Sequence, residues 1–196
     1  MSGAKIAKKY ENPIDNFIVH QLCEPVSDTL YKYKITPNII TIIGFIFAIF
    51  GLIGLYHYKI YHFMLFNVLA YYCDCLDGFM ARKYKQTTKF GDYLDHTTDI
   101  LQVFGIIYVL VMRYKLIKFP KLIGVSVIMV ILLFIVQGCQ EQLMDQINNS
   151  VVLSSFKTMC KKSMKNNINI LRFFGAGTTQ LYVLIISYYL WSNMKK

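Results

Sequence analysis

Four aspartates, Asp74, Asp77, Asp95 and Asp99, stand in the frame D-x2-D-G-x2-A-R-x8-G-x3-D-x3-D, together with Gly78, Ala81, Arg82 and Gly91. Eight specified positions, each at a background frequency of about 5%, match by chance on the order of 10⁻¹⁰ per starting point. On a helix, Asp74 and Asp77 lie about 60° apart on one face, and Asp95 and Asp99 about 40° apart on the next. The segment 83–90 between them is short and polar. That predicts an antiparallel helical hairpin holding the four carboxylates at similar depth. Charges held so closely repel unless neutralised, and two divalent cations balance them. An all-oxygen donor set favours Mg²⁺ or Mn²⁺ over zinc. Such a pair suits phosphoryl chemistry: it clamps diphosphate oxygens, offsets charge on a leaving group and lowers the pKa of an attacking hydroxyl. Gly78 and Ala81 leave the backbone beside Asp77 open to close approach, and Arg82 can fork two donors onto phosphate oxygens. Gly91 predicts a close start of the second hairpin helix against the first.

The elements that must position these residues are apolar. The chain has 196 residues, 55% hydrophobic and 16% charged, with a mean hydropathy of +0.40. Apolar stretches lie at Ile39–Tyr56, Ile60–Cys73, Ile100–Met112, Leu122–Val136 and Phe173–Trp191, with a weaker one at Ile147–Cys160. A helix needs about 20 residues to cross the hydrocarbon core. The second and third therefore extend into the aspartate frame, which places the carboxylates inside helices near one membrane face. The expected fold is an all-α integral membrane protein of about six transmembrane helices. An amphipathic interfacial helix precedes them: Ile14, Phe17, Ile18, Leu22, Val26 and Leu30 recur at helical spacing between Pro13 and Lys34, a pattern suited to the membrane surface. This divides the chain into a surface segment, 1–35, and a transmembrane domain, 36–196. No cleavable signal is visible at the start.

Five scattered cysteines, Cys23, Cys73, Cys75, Cys139 and Cys160, are an odd set that argues against a disulfide framework. Cys73 and Cys75 point about 200° apart on a helix, so they read as filler rather than metal ligands. A net charge of +10 sits in short stretches between spans, which suits anionic membrane lipids and not nucleic acid. Lysines before residue 35 and the cluster at 82–89 favour a cytosolic placement of the aspartates, while the cluster at 113–121 opposes it.

The complete frame resembles the signature of the CDP-alcohol phosphotransferases, membrane enzymes that move a phosphate-linked group from a CDP-alcohol to a second alcohol and release CMP. The resemblance implies a CDP-alcohol donor, a lipid or small alcohol acceptor and a homodimer. It implies metal ligation by Asp74, Asp77 and Asp95, with Asp99 as the base on the acceptor hydroxyl and a further ligand. Gly78, Ala81, Arg82 and Gly91 would meet the CDP moiety. His96, directly after Asp95, is similar to the eukaryotic choline- and ethanolaminephosphotransferases, as are E-N-P-I-D-N-F and I-T-P-N-I-I-T upstream. Its alternatives are a second base, an orienting group and a plain helix-end residue. Asn38 and Thr41 would face the hairpin's mouth near cytosine or ribose, with Thr36 capping the helix that Pro37 opens.

That local likeness favours CDP-ethanolamine or CDP-choline as donor and diacylglycerol as acceptor. Length points the other way, because those enzymes are about twice as long. The alternative is CDP-diacylglycerol attacked by inositol, serine or glycerol 3-phosphate; a phosphorylated acceptor would need a basic pocket, for which Arg113, Arg172 or the lysines near 161 are candidates. A divalent-cation carrier would explain the aspartates but not Gly78, Ala81, Arg82 and Gly91. Glu141 reads as an interfacial acid, with help to the acceptor as the alternative. His20, His57 and His62 show no ligand spacing.

Overall fold

The structure, a computed structural model, describes residues 3, 5–143 and 150–194. Its long helices are α3 (Pro37–Tyr56), α4 (Ile60–Lys83), α5 (Lys89–Met112), α6 (Pro120–Leu143) and α9 (Ala176–Met194); α1 (Pro13–Phe17), α2 (Glu24–Lys32), α7 (Lys162–Asn166) and α8 (Ile168–Leu171) are short. Four stretches are long and apolar enough to cross a membrane: Pro37–Tyr56, Lys89–Met112, Pro120–Leu143 and Ile168–Met194. Helix α4 has 24 residues but carries the charges of the frame. The chain is an all-α membrane protein. The expected sixth span does not form over its described part: Leu153–Met159 is a 3₁₀ segment, and residues 147–149 lie outside the described residues.

Helices α3 and α4 pack as a close antiparallel pair because α3 presents Gly44, Ala48, Gly51 and Gly54 toward its neighbour. A Cβ at Gly44 would come within 2.9 Å of the Cys73 Cβ, and one at Gly54 within 3.0 Å of the His62 Cβ. Small residues at such a contact let helices approach where lipid offers no hydrophobic drive. At the end where α3 and α5 finish, Leu55, Phe63, Val109, Leu110, Tyr114 and Leu190 form the main core. Tyr58, Tyr61 and Trp191 ring that end, with the indole donating to Tyr58 O at 2.8 Å. Amphipathic aromatics are typical of a membrane–water interface.

The opposite end carries the frame and is covered by two segments distant in sequence. The N-terminal segment is helical over 13–32, with a π-helical stretch at Ile18–Cys23. It buries Val19, Cys23 and Ser27, the first two against Leu76, Phe79 and Met80 of α4, while Phe17, Leu22 and Val26 face outward. The apolar stripe of the sequence is thus split, with Phe17, Leu22 and Val26 exposed and Ile18 and Leu30 packed on that core. The other cover is the segment from Ser150 to Phe174. Here the cysteine expectation fails: Cys139 and Cys160 form a disulfide, Cα–Cα 4.9 Å, and Cys23, Cys73 and Cys75 are free. The chain returns against the end of α6 so tightly that Gly138 lies on the Phe156 carbonyl, and this contact was invisible to a count of cysteines.

Candidate active site

Helix α4 runs into the site without a break because Asp74 and Asp77 fall on the face that Ala70 and Cys73 begin. Thr88 caps α5, its hydroxyl accepting the Gly91 N–H at 3.0 Å. The two helices bring all four carboxylates to one small cavity, about 20 Å³, lined also by Thr41, Thr98 and Gln102. Oxygens of Asp74, Asp77 and Asp95 lie within 4.8 Å of one another, and so do ligand atoms of Asp95, His96 and Asp99. Asp77 is the most enclosed, at 4% exposure; Asp99 is the most open. These oxygens fit hard divalent cations, because among the described residues no lysine or arginine lines this cavity to balance the charge.

The cavity adjoins a cleft of about 370 Å³ lined by Asn38, Gly78, Ala81, Arg82, Gly91 and His96, among others. Its cationic linings are Lys5, Arg82 and Lys89. The Arg82 guanidinium lies over Gly78, where a Cβ would meet Nη1 at 3.1 Å, and its Nε donates to Gly3 O at 2.8 Å. The N-terminal segment therefore aims this arginine. Gly91 is needed, but against α3 rather than α4: a Cβ there would meet Asn38 Oδ1 at 2.9 Å.

Thr41 donates to Asp77 Oδ2 and lies 3.2 Å from Pro37 O, so it orients a carboxylate. Thr36 makes no side-chain cap. His96 sits between Asp95 Oδ2, 3.3 Å from Nδ1, and Ser150 Oγ, 3.0 Å from Nε2. Glu141, expected as an interfacial acid, is instead buried in the cleft wall, 1% exposed, 3.1 Å from Lys5 Nζ, and it accepts the Ser150 N–H. Asp92, inside the frame but not part of it, accepts the N–H groups of Val151 and Val152 at 2.8 and 3.2 Å. Sequence reasoning missed Asp92, Lys5 and Ser150, because their partners lie more than 50 residues away or across the bundle. The basic candidates proposed from sequence are elsewhere: Arg113 stacks on Tyr56 and Tyr58 at the far end, and Arg172 donates to Lys9 O.

A family model described as CDP-alcohol phosphatidyltransferase matches residues 34–194. An archaetidylinositol phosphate synthase of Pyrococcus horikoshii is 34% identical over 46% of this chain and 48% of its own. A CDP-diacylglycerol–glycerol-3-phosphate 3-phosphatidyltransferase of Wigglesworthia glossinidia brevipalpis is 30% identical over 83% of this chain and 80% of its own. A phosphatidylinositol phosphate synthase of Cutibacterium acnes is 32% identical over 40% of this chain and 39% of its own. The chain thus matches less than half the length of the first and third of these. No solved structure matches. The names of these relatives favour the CDP-diacylglycerol alternative over the aminoalcohol reading, which rested on short local likenesses.

Proposed function

The chain belongs to the CDP-alcohol phosphatidyltransferase family, and from that premise we propose that it transfers the phosphatidyl group of a CDP-linked lipid to a hydroxyl of a small phosphorylated polyol, releasing CMP. The observation that carries the reading is the convergence of all four framed carboxylates on one cavity beside a cleft with Lys5, Arg82 and Lys89 in its wall. Three cationic side chains suit an acceptor with its own phosphate as well as the donor's diphosphate. Glycerol 3-phosphate stands in the name of one relative, and inositol phosphates in those of two others.

Asp74, Asp77, Asp95 and Asp99 would hold two Mg²⁺ or Mn²⁺ ions, which when bound neutralise the diphosphate and acidify the attacking hydroxyl. Arg82 binds a diphosphate oxygen, aimed by Gly3. Gly78 and Ala81 let the nucleotide lie against α4. Thr41 orients Asp77, and His96 orients Asp95. Asp99, the most open carboxylate, takes the acceptor proton as the new O–P bond forms; the bond to CMP breaks, and its electron pair leaves with CMP.

The proposed site adjoins Pro37 and Asn38, at the end where α3 begins, and Lys8, Lys32, Lys34, Lys83, Lys85 and Lys161 belong to segments that meet that end. The 113–121 cluster falls at the other end, with less charge in total. That distribution favours a cytosolic site. The test is CMP release by purified protein in detergent with Mg²⁺ or Mn²⁺. CDP-diacylglycerol is supplied with glycerol 3-phosphate, inositol phosphate, inositol or serine, and diacylglycerol with CDP-ethanolamine. Turnover is expected with a phosphorylated acceptor. Turnover only with diacylglycerol would overturn the assignment of donor and acceptor.

A further inference from the structure

Just below the carboxylates, two amide side chains, Gln102 and Asn67, meet inside the bundle, and a third, Gln180, reaches the Asn67 main chain. Gln102 Nε2 of α5 donates to Asn67 Oδ1 of α4 at 2.8 Å, and Gln180 Nε2 of α9 donates to the Asn67 main-chain carbonyl at 3.2 Å. Asn67 is 1% exposed. None of the three belongs to the aspartate frame. Amides at this depth cost free energy unless they are bonded or used. Two features separate Gln102 from a mere rivet between helices. It lies three residues, under one turn, beyond Asp99, and it lines the same cavity of about 20 Å³ as the four aspartates. A primary amide carries its nitrogen and oxygen on opposite edges. With the nitrogen committed to Asn67, the carbonyl oxygen is the edge left for the cavity.

We infer that Gln102 is a neutral oxygen ligand of the metal centre, held in place by Asn67. The inference rests on reading the aspartates as that centre. Charge explains the choice of residue. Four carboxylates already balance two divalent cations, so a fifth acid would leave an uncompensated negative charge inside the bundle. An amide carbonyl adds a hard donor without charge, a ligand type that suits Mg²⁺ and Mn²⁺. Asn67 fixes the rotamer, as partners behind metal ligands generally do.

The test is Mn²⁺ binding by the whole purified protein without substrate, read as the Mn²⁺ concentration giving half of the maximal rise in melting temperature. Gln102→Leu is expected to raise that concentration about 10- to 100-fold, and Asn67→Leu to raise it less. Gln102→Glu, which keeps an oxygen in reach, is expected to bind Mn²⁺ as tightly as wild type or more so, while lowering the metal-free melting temperature. A Gln102→Leu protein that melts cooperatively with the wild-type Mn²⁺ midpoint would sink the inference. If that variant does not fold, equal loss of Mn²⁺ affinity in Gln102→Glu and Gln102→Asn does the same. A wild type that Mn²⁺ fails to stabilise overturns the metal centre itself and this ligand with it. Failure of Gln102 alone leaves the centre standing.

Discussion

Tyr114 and Asp77 are both buried side chains within the same helical bundle, and they are treated oppositely. Tyr114 donates to Leu55 O at 2.9 Å among Leu55, Phe63, Val109 and Leu190, so its one polar group is satisfied and its ring fills the core. Asp77 receives a hydrogen bond from Thr41, yet faces three more carboxylates across a small cavity. At the aromatic end Tyr114 and Trp191 find their hydrogen-bond partners within the protein. At the site end it leaves charge that only a ligand can complete, and such ends are held at the expense of stability. The bundle thus separates the two tasks by about the length of a helix, and that separation can be broken experimentally.

The largest effect should come from the site end. Asp77→Asn is expected to lower the rate of CMP release by at least about 10³-fold, since the lost charge stabilisation amounts to several kcal/mol. Its metal-free melting temperature should equal or exceed that of wild type, because a repelling charge has gone. Asp74→Asn and Asp95→Asn should behave alike, with weakened donor binding as well as turnover, whereas Asp99→Asn should keep more of the donor binding. A large loss of stability in Asp77→Asn would erase the contrast between the ends.

The converse substitution is Phe63→Ala, in the core at the aromatic end, where the side chain is 1% exposed. Deleting it should cost about 3–5 kcal/mol of stability, while the turnover of folded molecules with saturating substrate stays within a few-fold of wild type. Thermal unfolding and activity of the same preparation give both numbers. A drop in turnover of 100-fold without unfolding would show that the two ends are mechanically coupled.

Between these extremes lies the segment that closes the cleft. Cys160→Ser removes the disulfide to Cys139, a cross-link over 21 residues whose loss is expected to cost about 3 kcal/mol. Ser150, Val151 and Leu153 line the cleft within the loop so closed, so the KM for the acceptor should rise several-fold while kcat changes little. Mild reduction of wild type should reproduce both effects. An unchanged KM would make the disulfide purely structural and move the boundary of the site inward, to the α4–α5 hairpin.

The same division governs what the sequence discloses. The hairpin was legible because its chemistry is local: three- and four-residue spacings put carboxylates on one helix face, and a short polar connection folds the two faces together. The small residues that allow α3 onto α4 were visible only as glycines, without a partner. The cover over the site was not legible, because it is made of pairs such as Asp92 with Val151, Glu141 with Lys5 and Arg82 with Gly3. No periodicity encodes such pairs. The surplus span was expected at 147–160, where Leu153–Met159 packs on the end of α6 as a 3₁₀ segment. Gln102 and Asn67 stayed hidden as isolated amides in apolar stretches.

The smallest effect should come from the N-terminal cover. Glu11 is 6% exposed, with His20 Nε2 3.9 Å from its carboxylate. Burial first, and the charge of Asp15 second, push its pKa from an ordinary 4.5 up to about 7, against the opposing pull of Arg82, Lys5 and Lys8. The docked segment therefore binds the Glu11 proton more tightly than the released segment does. Below pH 4.5 both states are protonated and Glu11 costs nothing. As pH rises from 4.5 to 7 the released form ionises first, so docking weakens, and above 7 the penalty levels off. Glu11→Gln removes this dependence. The variant should match wild type near pH 5 and gain in melting temperature toward pH 8, by a few degrees at most, because only the cover is affected. A difference that stays constant across this range would place the Glu11 carboxylate in water rather than beneath the cover. The N-terminal segment would then resemble the rest of the surface, and not the enclosed end of the bundle.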